Sequence, residues 1–122
     1  MEDFGNDRYD ENDDYPDFAI KVAQAVAENP EERLGIVLCG SGVGVDIVAN
    51  KFDGVRSAHT DSAEQARMSK EDDNTNVLSL GADFMSESQM KEIVRAWLEA
   101  SFTGAPRHKR RLGKIEKIEE NN

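Results

Sequence analysis

Two apolar periodicities alternate along this chain, and the places where one gives way to the other mark out its elements. Asp14-Tyr15-Pro16 predicts the start of a helix, since an aspartate accepts from the first free N–H groups and a proline fits the first turn. Phe18, Val22, Ala25 and Val26 then fall on one helical face, and Asn29-Pro30 ends it. The run Leu34 to Cys39 is too short and too tightly bounded by glycine for a buried helix, and it reads as a strand. Helical spacing returns at Val43, Ile47 and Val48 within a segment from Val43 to Phe52. Gly54 then turns the chain into a short strand, Val55 to Ala58. A further helix, Asp61 to Lys70 with Thr60 or Asp61 as its cap, is broken by Asp72-Asp73-Asn74, and Val77 to Leu80 supplies the third strand. Ser86 and Gln89 form a capping box before the clearest amphipathic stripe of the chain, Met90, Ile93, Val94, Trp97 and Leu98. Gly104-Ala105-Pro106 separates that helix from a last one, Arg107 to Glu120. Its apolar edge of Leu112, Ile115 and Ile118 is too thin for a free helix and predicts docking on another subunit.

Strands alternating with helices predict a parallel sheet covered on both faces: a three-layer, doubly wound α/β fold that binds ligands at the carboxyl ends of its strands. A length of 122 residues makes this one domain, residues 1–122, with an acidic loop at residues 1–13. Three strands are few for such a sheet. The fold is therefore expected to be N-terminally shortened, without a first strand–helix unit. A sheet edge left open in this way predicts a chain that is unstable alone or strand-paired to a partner.

Charge and cysteine content narrow the partners. A formal charge of −10 argues against nucleic acid and against an anionic membrane. The balance is uneven, because residues 2–17 are acidic while Arg107 to Lys117 is a basic cluster. No apolar stretch approaches membrane-spanning length, and the acidic start resembles no secretory signal. The single cysteine permits no internal disulfide and no zinc site, so a soluble protein of the reducing cytoplasm is expected. The acidic stretch Asp7 to Asp17 matches no metal-loop spacing and reads as a solvated loop.

That cysteine is the sharpest chemical feature. Cys39 ends a buried strand and is followed at once by Gly40-Ser41-Gly42-Val43-Gly44, a turn that aims backbone N–H groups at its surroundings and favours a thiolate. The bland alternative for Cys39 is a small buried hydrophobe, and for the glycines close packing of a helix on the sheet. A dinucleotide fingerprint lacks its acidic residue downstream. A tyrosine phosphatase would need arginine six positions after its cysteine, where Val45 stands. A phosphocysteine carrier of the sugar phosphotransferase type stays open. Arg107 and Arg111 lie four apart on one helical face, a spacing suited to phosphate, although a solvated basic face would look the same. His108 reads as a surface or interface residue. His59 follows a strand and falls near the ligand edge, where a solvated loop histidine is the simpler reading.

Several motifs in order resemble the ribose-5-phosphate isomerase B / galactose-6-phosphate isomerase family. They are Asp14-Tyr15-Pro16-Asp17-Phe18-Ala19, Gly35 through Gly44, Ala49-Asn50-Lys51, Gly54-Val55-Arg56, Ala66-Arg67-Met68, Asn76 through Gly81, and Arg107-His108-Lys109-Arg110-Arg111 with Lys114-Ile115. The resemblance implies a Rossmann-like or flavodoxin-like aldose–ketose isomerase of phosphorylated sugars, most readily ribose 5-phosphate, working as a homodimer or tetramer without metal or cofactor. It further implies that Cys39 is the base moving a proton between C1 and C2, that Ser41 assists at the sugar oxygens, and that Gly40, Gly42, Val43 and Gly44 offer N–H groups to the enediolate. Tyr15 and Asn76 match residues near the sugar, and Arg107 and Arg111 match phosphate-gripping arginines in a site shared between subunits. The chain departs from the family pattern at three places. The first strand with its Asp-His pair is missing, Asp72-Asp73 stand where His-Asn is usual, and Asp83 stands where an arginine contacts phosphate. These departures keep a non-catalytic sugar-phosphate-binding relative as the alternative.

Overall fold

The computed structural model describes residues 1–5 and 13–122. In chain order the elements are α1 (Tyr15–Glu28), β1 (Gly35–Cys39), α2 (Val43–Ala49), β2 (Ser57–His59), α3 (Ala63–Asp73), β3 (Val77–Gly81), a 3-10 turn Ala82–Phe84, α4 (Glu87–Glu99) and α5 (Pro106–Glu120). The three strands are all parallel in the order β1-β3-β2, with Cys39 beside Gly81 and His59 beside Ser79. Helices cover both faces, so the three-layer α/β expectation holds. The acidic stretch between residues 6 and 12 lies outside the described residues.

The last strand in the chain, β3, is central and buried along its whole length. Its two faces organise two cores. Val77 joins Ala19, Ala23, Val26, Val37, Val45, Ala49 and Val55 beneath α1 and α2. Leu78 and Leu80 join Ala66, Ile93 and Trp97 beneath α3 and α4. A strand covered on both sides need not alternate, and between Val77 and Leu80 only the hydrogen-bonded Ser79 interrupts the apolar residues. The edge strand β1 does alternate. Val37 is 4% exposed, whereas Ile36 and Leu38, on the α4 side, are 42% and 53% exposed. With Leu98 they border an open apolar groove, so among the described residues β1 is paired on one edge only and has a half-covered face.

Several local expectations need correction. The buried face of α1 is Ala19, Ala23 and Val26, with Phe18 only half-buried, and Asp14 occupies the N-cap without a side-chain capping bond. Helix α2 packs through the small residues Val45 and Ala49, not through Val43 and Ile47, which are exposed. Its glycine-rich approach brings the helix close to the sheet, and only small side chains fit underneath. Ser62, rather than Thr60 or Asp61, caps α3, accepting from the Gln65 N–H at 3.1 Å, and Asn74 in the left-handed conformation closes that helix after Asp73. The capping box of Ser86 and Gln89 is present as expected.

One buried cation links α3 to α4. Lys70 Nζ donates to the Trp97 carbonyl oxygen at 2.9 Å and lies 4.8 Å from the centre of the indole ring. The same indole donates through Nε1 to Thr75 Oγ1 at 2.9 Å. Burial pushes the Lys70 ammonium below its ordinary value of 10.5, so above the lowered value the unfolded chain holds more protons on this group than the folded one. Relative to Lys70→Met, the native chain should therefore gain stability as pH rises toward 10.5 and keep a constant offset near neutrality, read from urea midpoints across that range. Along β1, Val37→Ala should cost about 2 kcal/mol by cavity formation, whereas Leu38→Lys on the open face should cost under about 0.5 kcal/mol, measured by the same denaturation.

Candidate functional site

The carboxyl edge of the sheet carries a compact group of polar atoms around the β1–α2 turn. Cys39 is half-buried at the end of β1, and the Gly42 N–H donates to its Sγ at 3.1 Å. The turn can make this bond because Gly42 adopts φ +80°, a left-handed backbone that glycine takes without a steric cost. Space makes the same demand. A Cβ on Gly42 would stand 2.8 Å from the Gly81 nitrogen and from the His59 ring, so the turn lies directly on the end of β3. Ser41 is exposed, and its Oγ accepts from the Val43 N–H at 3.2 Å, folding the hydroxyl back over the turn.

Two side chains from elsewhere frame this edge. The Tyr15 ring, at the first turn of α1, lies against Gly44 so closely that a Cβ there would fall 2.6–2.7 Å from its Cζ and Oη atoms. Asp83, in the 3-10 turn after β3, donates its N–H to the Gly40 carbonyl at 2.9 Å and holds its carboxylate beside Gly40. Of the residues picked from sequence, the fold thus gathers Tyr15, Cys39, Gly40, Ser41, Gly42, Val43 and Gly44. His59 lies at this edge as its position after a strand led one to expect, and Asp83 joins it.

Asn76 is not among them. It sits one residue before β3, at the amino edge of the sheet, roughly 16 Å along the strand from Gly81. Its side chain is 2% exposed and fully employed: Oδ1 accepts from Arg56 N–H at 2.7 Å, and Nδ2 donates to the Pro30 and Gly54 carbonyls at 3.2 and 2.9 Å. It is a loop clamp, and its assignment to substrate is corrected on that ground.

Arg107 and Arg111 are likewise at the amino edge of their own chain. Helix α5 begins beside the end of α3, where the Thr103 N–H donates to the Glu71 carbonyl at 3.0 Å. His108, 6% exposed, bonds Thr103 Oγ1 through Nδ1 at 2.8 Å and lies 3.7 Å from Asp72 Oδ1. The helix finishes at the loop before β2, where the Glu119 carboxylate accepts from the Gly54 N–H at 3.0–3.1 Å. In a parallel α/β domain both places belong to the edge opposite Cys39. Arg107 and Arg111 are exposed and make no ion pair with a described residue. Asp72 shares this far edge. Ile115 and Ile118 on the same helix are 44% and 62% exposed, so the apolar stripe of α5 is open along much of its length.

Sequence reasoning passed over Asp46, whose Oδ1 accepts from Ser57 Oγ at 2.6 Å and Ser79 Oγ at 2.9 Å. Its signal was an acidic residue next to Val45 on a short helix destined for the sheet. Among the described residues no group of three His, Cys, Asp or Glu side chains could hold a metal ion, and no helix is long and apolar enough to cross a membrane.

A thiol beside backbone donors, at the ligand edge of a doubly wound sheet, is an arrangement that suits proton transfer at a carbon next to a carbonyl. Known proteins resemble the chain along most of its length. The profile of the Ribose/Galactose Isomerase family matches residues 1–115. A probable ribose-5-phosphate isomerase B of Mycoplasma genitalium is 45% identical over 117 residues, covering 96% of this chain and 76% of the relative. A D-erythrulose-4-phosphate isomerase of Pectobacterium atrosepticum is 40% identical over 102 residues, covering 84% of this chain and 66% of the relative. The crystal structure of the Mycoplasma genitalium ribose-5-phosphate isomerase B with bound ribulose 5-phosphate superimposes with a TM-score of 0.93 at 44% identity, covering 97% of this chain and 77% of that one. The chain therefore belongs to the ribose/galactose isomerase family. The relatives it matches are named as isomerases of phosphorylated sugars.

Proposed function

We propose that this protein interconverts ribose 5-phosphate and ribulose 5-phosphate through an enediolate, with Cys39 as the base. The observation that carries this reading is the Gly42 N–H donating to Cys39 Sγ at 3.1 Å on an accessible sheet edge. In the open-chain aldose the Sγ thiolate takes the proton from C2. The C2 electron pair then forms the C1–C2 double bond, and negative charge gathers on O1. Return of the proton to C1, with transfer of the O2 proton to O1, yields the ketose. Ser41 Oγ and the N–H groups of the Gly40–Gly44 turn serve the developing oxyanion, because donors fixed in place stabilise charge without reorganising. Tyr15, lying over Gly44, lines the sugar's path.

The phosphate is assigned to Arg107 and Arg111. Within one chain they are at the wrong edge, so they act from a second copy, and the active unit is a homodimer or a tetramer built from one. The exposed Ile115 and Ile118, continuing from the half-buried Leu112, support docking of α5 on that copy. A lone thiol suits a reducing cytoplasm. The Asp83 carboxylate beside Gly40 favours the second reading, a relative that binds sugar phosphate without turning it over, because it adds negative charge where an anion is to form.

The two readings part on activity. Cys39→Ala should lower kcat by ~10²–10⁴-fold while leaving the circular dichroism spectrum unchanged. Equal trace activity in both proteins would decide for the binding relative. Arg107→Ala with Arg111→Ala should raise KM far more than it lowers kcat, measured by ketose formation. Mixing that double variant with Cys39→Ala under conditions of subunit exchange should restore activity to about a quarter of the native level, since half the dimers then carry one complete site out of two.

A further inference from the structure

We propose that Asp46 is a positioning residue for the Cys39 site, acting through helix α2 on the Gly42 N–H; this rests on the reading of Cys39 as the base. Helix α2 has only seven residues, and its N-terminal residue Gly42 supplies no side-chain cap. Packing beneath it is limited to Val45 and Ala49, with help from Val48. Polar clamps therefore carry much of its docking. Asp46 Oδ1 accepts from Ser57 Oγ of β2 at 2.6 Å and from Ser79 Oγ of β3 at 2.9 Å, and the two hydroxyl oxygens are themselves 2.7 Å apart. One turn later on the same face, Asn50 clasps the Ser57 backbone, donating from Nδ2 to its carbonyl at 3.0 Å and accepting its N–H on Oδ1 at 2.9 Å. Asn50 fixes the far end of the helix. Asp46 fixes the end that continues into the glycine turn.

The coupling to the site is short. The Asp46 N–H reaches the Gly42 carbonyl at 3.4 Å, a long bond that leaves the first turn dependent on its side-chain anchor. Gly42 in turn donates to Cys39 Sγ and rests on Gly81. A rotation of α2 would therefore carry the Gly42 N–H away from sulfur. Ser79 is fully buried in the central strand, so its hydroxyl is a fixed reference for that rotation.

Alkylation of the chain's only cysteine by iodoacetamide reads this geometry directly, whether or not the protein turns over sugar phosphate. Asp46→Ala should slow alkylation at neutral pH by about threefold or more and lower kcat with KM little changed, because the thiolate loses an oriented donor. Asp46→Asn, which keeps an acceptor oxygen, should remain within about twofold of the native rate. Ser57→Ala, which removes one donor, gives an independent reading should Asp46→Ala fail to fold. The control is Val55→Ala, a buried change in the same core that lowers stability without touching the clamp. An alkylation rate in Asp46→Ala or Ser57→Ala equal to that of Val55→Ala overturns the proposal, as does an Asp46→Asn protein as slow as Asp46→Ala. Retained isomerase activity in Cys39→Ala would overturn the base assignment alone, leaving the alkylation result to decide the role of Asp46.

Discussion

The left-handed backbone at Gly42 lets the chain leave β1 and fold straight down onto the end of β3. No other feature places so many atoms of the site. With φ at +80° and no Cβ, the turn reaches within van der Waals contact of Gly81, and the N–H of Gly42 meets the sulfur of Cys39. A side chain at this position would have to occupy space already held by the Gly81 nitrogen and the His59 ring. Strain and collision act together, so the turn is available to glycine and to little else. Two neighbouring elements depend on its path: α2 begins where the turn ends, and Tyr15 can lie over Gly44 because no Cβ stands there.

The central strand supports that turn from below. Its faces feed two cores, one with α1 and α2 and the other with α3 and α4, and its end at Gly81 receives the glycine turn. The weak side of the domain is β1. One edge pairs with β3, and the exposed Ile36 and Leu38 face an open groove with Leu98. An unpaired edge with an apolar flank is a site for strand addition, and natural sheets usually blunt such edges with charge or cover them. Here the groove is rimmed by the charged residues Glu87, Lys91, Arg95 and Glu99.

Most of the fold was legible because its signals are local. Glycines bounded β1 and closed β3, and the capping box named the start of α4, whereas β2 runs over Ser57–His59 rather than Val55 to Ala58. Errors arose where tertiary distance overrides periodicity. Val43, Ile47 and Val48 make a plausible stripe, yet the close approach of α2 leaves room only for Val45 and Ala49. The same holds for the site. Cys39 and its glycines are contiguous, so they could be read together, while His59 and Asp83 come to that edge from separate strands. Asn76 was assigned through a motif that continues into β3, but motif proximity carries no information about which end of a strand a residue occupies. Its amide holds three backbone groups at the amino edge instead.

The separation of sulfur from guanidinium is the strongest geometric argument about how the domain must work. A sugar phosphate carries its reactive carbons and its charge at opposite ends, so a base and a phosphate grip have to face each other across one cleft. In this chain they face away: Cys39 is at the carboxyl edge, while α5 runs along the amino edge from Glu71 to Gly54. Reorienting α5 within the chain would break the Glu119 contact to Gly54, strip His108 from Thr103 and Asp72, and expose Phe102 beside it. Bringing a second copy to the cleft breaks none of these. If Arg107 and Arg111 hold phosphate, they do so for a neighbour. A two-fold arrangement then makes two sites at once, because whatever one copy donates it also receives.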